Sequence, residues 1–549
     1  MEQYTIVPIR SLKDTDALIQ TLLSDGPPSV NTNQKVAHEI FNLVYAQGCK
    51  TVVIENPYVD EDHRRCHAKL HRFAHSAVSR YCKRLHFFAR EFANLNELKT
   101  ISSSDQESYM GMCVWRPTNA YPIGRTIIAS KYGIKIPPAG KWIPYLTCAA
   151  YYPVNIAGIK FTVYGFPFIQ QDHLVTTCAT ASIWMCQWYM SERYNEIRRY
   201  YTPEITDLAT AYDLSAGRAI PSEGLTNQQI VMAFRSLGYD PAQHDLVDKT
   251  SKQIYRILYN YIESGIPLVA SIVTGTSMDH AITVLGHGLE DDCSPTPEAF
   301  PNAEKVEWQY IDAADYNTVF IISDDQYGPY RWMKLMDIDK VTGPILSAMF
   351  NDASAEAKAK QIIEHLKKER ITTLALFGNY NNQELYIAGM SFLVAALPQT
   401  VTLGPEDAQD KAIAAFLGST ETKEIPIMVV RTYLIPSNEY KEHIIEVLEK
   451  ESDLAWWIRS FYYPKWIWVT EFSFDLKATG RKVASSIIID SSASRDTVDF
   501  VLMQKGDWII PVPHSTNNIV KLIKEIAKEG KELKDATFKP YTQLERELK

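Results

Sequence analysis

The segment Phe168-Ile169-Gln170-Gln171-Asp172-His173-Leu174-Val175-Thr176-Thr177-Cys178-Ala179-Thr180-Ala181-Ser182-Ile183-Trp184 sets a thiol at the start of an apolar helical run, one short loop after two side-chain amides. A helix is expected from Cys178 to Arg199, with Thr176 or Thr177 as its cap and the sulfur at the positive end of the helix dipole. A free cysteine has a pKa near ~8.5 and attacks as the thiolate, so it needs a base. Downstream, Asp279-His280-Ala281-Ile282-Thr283-Val284-Leu285-Gly286-His287-Gly288 leads a histidine into a strand, and Phe320-Ile321-Ile322-Ser323-Asp324-Asp325 ends a second strand on carboxylates.

These pieces suggest one site. His280 would take the thiol proton, and Asp324 or Asp325 would orient its ring, with Asp312 and Asp315 also open for that role. The Cys178 backbone N–H and the Gln171 side chain, with Gln170 as fallback, would stabilise an oxyanion. Cys186, in mid-helix between Met185 and Gln187, reads as a small buried hydrophobe. His287, between glycines beyond the strand, reads as structural.

Around Cys178 the elements suggest an α+β unit over 151–350. Thr226 caps a helix stopped by Gly238, and a helix from Ser251 to Ser264 stops at Gly265-Ile266-Pro267. Strands are expected at Leu268–Val273, Ala281–Leu285, around Tyr310 and at Phe320–Ser323, followed by a turn at Gly328-Pro329. Helices come first and strands later, which gives a helix packed on an antiparallel sheet.

The flanks read as two α/β domains, 1–150 and 351–549. The first begins with a strand at Tyr4, helices over Asp14–Leu23 and Asn33–Gln47, and a strand at Thr51–Ile54. A long helix is then expected from Asp60 to Phe92, rich in Arg and Lys, carrying His63, His67, His71 and His75 at four-residue spacing, with Cys66, Cys82 and His86 nearby. A single straight helix does not close a tetrahedral ligand set, so a basic polar face is preferred to a metal site. The last domain has a helix over Ser354–Arg370, strands at Thr373–Phe377, Ile425–Leu434, Trp466–Phe472 and Val483–Ile489, and a helix from Asn438 to Tyr462 ending in aromatics read as core. A Lys/Glu-rich helix over Asn517–Leu533 closes the chain.

Composition sets outer limits. A chain of 549 residues exceeds one core, and 46% hydrophobic with 22% charged residues is ordinary globular material. The net charge of −9 gives no global argument for nucleic acid, which is not expected as a partner, and no apolar run is long enough to span a membrane. Eight cysteines without scaffold spacing point to reduced thiols and a cytoplasmic location.

The central segment resembles the papain-like cysteine peptidases, most closely their bacteriocin-processing (C39-like) branch, over about Phe166 to Tyr330. The resemblance rests on Pro167-Phe168-Ile169-Gln170-Gln171 before Cys178-Ala179-Thr180-Ala181-Ser182, on Gly224-Leu225-Thr226-Asn227-Gln228-Gln229-Ile230, on Gly265-Ile266-Pro267-Leu268-Val269-Ala270, and on His280-Ala281-Ile282-Thr283-Val284-Leu285-Gly286. It implies Gln171 as oxyanion residue, Cys178 as nucleophile, His280 as base and Asp324 as orienter, with no cofactor or metal. Ala179 stands where the family usually has glycine, and Glu290 to Tyr316 would be an insertion at the site's rim. The implied activity is hydrolysis of a peptide or isopeptide bond in a peptide or protein substrate. The alternatives are a thiol acyltransferase or deamidase of transglutaminase-like type, and an inactive sensor or scaffold on a papain-like fold.

Overall fold

The computed structural model describes residues 3–24, 34–69, 78–99, 103–118, 121–133, 142–172, 177–211, 224–275, 279–290, 293–300, 309–350, 352–379, 385–418, 427–447, 453–460, 462–476, 483–494, 500–505, 508–511 and 531–532. They form an α+β structure built on three largely antiparallel sheets.

The first sheet runs in the order Tyr4–Pro8, Thr51–Tyr58, Cys82–Phe88, Tyr109–Trp115, Ile123–Ala129, Ile159–Phe168, Ala150–Ile156, antiparallel at every step. The long helix expected from Asp60 to Phe92 is instead a short helix, Glu61–Lys69, and the strand Cys82–Phe88. Leu85, Phe87 and Phe88 are buried with strands on both sides, and an aromatic run of this kind favours a sheet interior over a helix. The expected basic face is divided accordingly, with Arg84 paired to Glu55 at 2.7 Å in the sheet. His71 and His75 lie outside the described residues. His63 Nε2 meets the Ser79 carbonyl at 2.8 Å and His67 Nε2 that of Val78 at 3.0 Å, so both rings brace the chain's return.

The second sheet carries the expected site. Leu268–Val273, His280–Glu290, Val319–Asp324, Gly328–Asp337, Thr373–Gly378 and Tyr386–Leu397 pair in that order, and the last pairs back to the first. Six strands thus close into a ring, which removes the exposed edges an open sheet would leave. Trp142–Tyr145 and Asp240–Asp245 add to its outside.

Sheet membership therefore crosses the expected cuts at 150/151 and 350/351. The hairpin Ala150–Phe168 belongs to the first sheet, Trp142–Tyr145 to the second, and two strands beyond residue 350 complete the ring. Glu298–Ala299 and Gln309–Asp312, expected at the site's rim, join the third sheet, where Gln309–Asp312 makes a parallel pairing with Met428–Pro436. A strand lies where its backbone donors and acceptors find partners, and those partners are distant in sequence.

The expected turn at Gly328-Pro329 falls earlier, at Asp325–Tyr327, and Gly328 opens the next strand. Helices Ser437–Val447 and Asp453–Ser460 occupy the Asn438–Tyr462 stretch, with Trp456 and Tyr462 exposed rather than in a core. Of the expected C-terminal helix, 517–530 and residue 533 lie outside the described residues, and Lys531–Glu532 is a strand.

The helix Cys178–Tyr194 sits between the first sheet and the ring, every residue from Ala179 to Met190 buried. It is mostly apolar on all sides, and its few polar side chains there, Thr180, Ser182 and Gln187, are buried with the rest. It ends at Asn195 in the left-handed conformation (φ 51°), which suits asparagine, short of the expected Arg199. The Trp184 indole N–H donates to Asp62 at 3.1 Å on the first-sheet side, while Ser182 Oγ donates to the Ala281 carbonyl at 3.3 Å and Tyr189 to that of Gly265 at 2.9 Å on the ring side.

Tyr330 makes a further tie between sheet and ring. Its hydroxyl donates to the Ile128 carbonyl at 2.8 Å and accepts from the Phe166 N–H at 2.9 Å, both buried. Tyr330→Phe leaves both backbone groups without this partner and is expected to lower unfolding stability by about 1–3 kcal/mol in denaturant titration. A loss under about 0.3 kcal/mol would show that the tie carries nothing.

Candidate active site

The site forms where the buried helix begins and two ring strands meet. Cys178 is half-buried at the helix's first position, and Thr177 precedes it in extended backbone. Thr177 makes no capping hydrogen bond; its hydroxyl lies 3.3 Å from that of Thr180. Thr176, the other expected cap, lies outside the described residues. All eight cysteines are free thiols, and Cys186 is buried in mid-helix, its thiol pushed well up by desolvation.

His280 opens the strand beside the helix, and its Nε2–H donates to Asp324 Oδ1 at 2.9 Å. Nε2 is committed to the carboxylate, so Nδ1 is the nitrogen left for the thiol, and Cys178 lies within hydrogen-bonding reach of the ring. Burial works against the imidazolium. The Asp324 charge and hydrogen bond, the Cys178 contact and the Asp325 charge outweigh it and hold the His280 pKa well above its ordinary value.

Asp324 and Asp325 adjoin in sequence and are both fully buried, yet their protons are held in opposite senses. Burial raises both. At Asp324 it is overcome by His280, by the Tyr386 hydroxyl donating to Oδ2 at 2.7 Å, and by the nearby Arg331 guanidinium, so the carboxyl is lowered. The Gln326 backbone N–H also donates to Asp324 Oδ1 at 2.9 Å. Asp325 has no hydrogen-bond partner for either oxygen among the described residues, although the Gln171 backbone N–H faces it. Desolvation and the charge of Asp324 push it up to about 7 against the pull of His280. The orienting contact is thus made by Asp324, with Asp325 at 3.7 Å from Nε2.

The other two acids are engaged elsewhere. Asp312 caps Ala314 and accepts from Gln409 at 2.7 Å, and Asp315 accepts from Arg256 at 3.1 Å. His287 is buried in its own network, with Nδ1 at 2.8 Å from Asn317 and Nε2 at 2.9 Å from Glu263, which Arg431 of the third sheet also binds. That network joins ring to third sheet.

Gln170 and Gln171 follow the last strand of the first sheet and are both buried. The Gln170 side-chain oxygen accepts from the Ile123 N–H at 3.2 Å, and Arg116 holds the Gln170 carbonyl at 3.0 Å. The fallback amide is thereby fixed to the first sheet. The Gln171 backbone N–H faces Asp325, beside His280.

Two further side chains meet the site. The Gln326 amide nitrogen lies 3.4 Å from His280 Nδ1, and Tyr386 stacks between Tyr327 and Phe377 with its hydroxyl on Asp324. Gln326 sits two residues past the acid and could have been found as a polar residue of the same turn. Tyr386 had no local signal. The His280 nitrogen and oxygens of Asp324 and Asp325 lie within 4.8 Å of one another, the group of described residues with metal-ligand geometry.

No family model matches this chain, and no curated protein matches it. Among the described residues no helix is long and apolar enough to cross a membrane.

The coupled pair has a defined pH window. The raised His280 pKa contributes stability present below its unfolded value, near ~6.5, and lost as pH climbs through the folded value. The lowered Asp324 pKa contributes stability present above ~3.9 and lost on acidification through its folded value. Asp324→Asn is expected to lower the His280 titration midpoint by about 1–3 pH units, read by deuterium exchange at the imidazole C2 position, and Tyr386→Phe to lower it by less. An unmoved midpoint in Asp324→Asn would contradict the assignment.

Proposed function

We propose that this chain is a cysteine hydrolase of papain-like, C39-like type, cleaving a peptide or isopeptide bond through an acyl-enzyme. The observation that carries the reading is the half-buried Cys178 at a helix start, in reach of a histidine whose far nitrogen is held by a buried carboxylate. A helix laid against an antiparallel barrel-like sheet, with thiol on the helix and histidine and acid on neighbouring strands, also supports it.

In this reading His280 Nδ1 takes the Cys178 proton and the imidazolium stands beside the thiolate. The sulfur attacks the carbonyl carbon, and the oxyanion forms near the Cys178 backbone N–H and Gln171. The imidazolium then gives its proton to the leaving amine as the acyl-enzyme forms. His280 next draws a proton from water, which attacks the thioester and frees the acid and the thiol. Asp324 holds the ring's tautomer and orientation throughout, and Tyr386 and the Gln326 N–H hold Asp324.

A peptide-library digestion tests the proposal. Wild type is expected to give new carboxyl termini, and Cys178→Ala and His280→Ala to lose at least about 10³-fold in rate, as removal of a catalytic nucleophile or base does. Amine incorporation without new termini would place the chain among acyltransferases. Equal turnover by Cys178→Ala would remove the thiol from the chemistry.

A further inference from the structure

The charge and geometry beside His280 exceed what orienting an imidazole requires. One carboxylate on Nε2 suffices for that role, and Asp324 supplies it. Asp325 adds a second fully buried carboxyl, whose neighbours are the His280 ring at 3.7 Å and the Gln171 backbone N–H, with no hydrogen bond of ordinary geometry to either oxygen among the described residues. Burying so loosely partnered a carboxyl is costly, so its position needs a reason.

We propose that His280 Nε2, Asp324 and Asp325 form a binding site for a divalent transition-metal ion of the zinc type, and that the ion reversibly blocks the Cys178 thiol by taking its base. Metal binding itself stands apart from the hydrolase reading; only the consequence for the thiol rests on it.

Distances favour the site. Zinc binds imidazole nitrogen and carboxylate oxygen at about 2.0–2.2 Å, which sets neighbouring ligands of a tetrahedral ion about 3.3 Å apart. His280 Nε2 lies 2.9 Å from Asp324 Oδ1 and 3.7 Å from Asp325 Oδ1, on either side of that value, and all three ligand atoms fall within 4.8 Å of one another. Bringing these separations toward that value admits the ion. Cys178 is not in that group, so it does not complete the set, and the fourth position is left for water.

Charge also favours it. Two carboxylates face one imidazole, and Tyr386 and the Gln326 N–H already orient Asp324 as the second shell of a metal ligand is oriented. Around Asp325 stand His280 and Asp324 from the ring strands, the Gln171 backbone N–H, and Tyr121 from the connection before Ile123–Ala129; Arg331 acts on the Asp324 side. The competing occupant of Asp325 is a proton. Ligand groups must lose their protons to bind, so metal affinity is expected to rise with pH.

Coordination through the Nε2 lone pair leaves the ring's one proton on Nδ1, which then has no lone pair with which to take the Cys178 proton. The thiol then loses its proton acceptor and reacts slowly. This differs from metal capture by a Cys–His pair, in which sulfur is a ligand.

Titration of full-length protein with Zn²⁺ and with Co²⁺ tests the site. One ion per chain is expected, with Cys178→Ala binding within about twofold of wild type and Asp325→Asn weaker by about tenfold or more, the scale on which outer-shell losses alone act. The Co²⁺ form should absorb in the visible without a thiolate charge-transfer band, and saturating Zn²⁺ should slow alkylation of Cys178 until a chelator is added. Where Asp325→Asn fails to give a native near-ultraviolet dichroism spectrum, His280→Gln replaces it with the same expected loss. Absence of stoichiometric binding, loss of binding in Cys178→Ala, a thiolate charge-transfer band, or unchanged affinity without Asp325 would each overturn the proposal. Slow turnover in a metal-free, chelator-treated sample would count against the hydrolase reading and leave the metal site standing.

Discussion

The structure depends on a helix with no wet face. Cys178–Tyr194 is buried from Ala179 to Met190 between the first sheet and the closed ring, and its polar atoms are paired into both. Such a helix cannot shift without opening two interfaces at once, so its first residue is placed by the packing of both bodies. The sulfur sits at that fixed end, and the ring strand that receives the Ser182 hydroxyl at Ala281 carries His280 one residue earlier. Thiol and imidazole meet because one helix packs against one strand.

Behind the histidine, two neighbouring carboxyls show how environment divides identical groups. Asp324 collects donors from His280, Tyr386 and the Gln326 backbone, and is held ionised. Asp325 collects none that bond among the described residues, and burial with the charge next door pushes its carboxyl up. The first is suited to hold an imidazolium.

Much of the site was legible because its determinants are local. Thr226 caps its helix with Gln229 as expected, Leu268–Val273 is a strand to the residue, and His280 opens one. The choice of Asp324 over Asp325, Asp312 and Asp315 was not legible, because it turns on hydrogen bonds to residues far along the chain. Tyr386 stayed hidden because the segment beyond residue 350 read as a separate domain, whereas its strands close the ring by pairing with Leu268–Val273. The Asp60–Phe92 stretch shows the same limit: the four-residue histidine spacing follows a helix, and the partners that make Cys82–Phe88 a strand lie at Thr51–Tyr58 and Tyr109–Trp115.

The central claim is that Cys178 is activated by His280 and that the other seven thiols are not. Intact-mass measurement after brief treatment with a thiol-directed electrophile at pH ~6.5, near the ordinary imidazole value, tests it most directly. A single adduct is predicted on Cys178, at least about tenfold slower in His280→Ala, since that variant has no base to take the thiol proton. Labelling shared between Cys178 and Cys186, or Cys178 labelling indifferent to His280, would contradict the account.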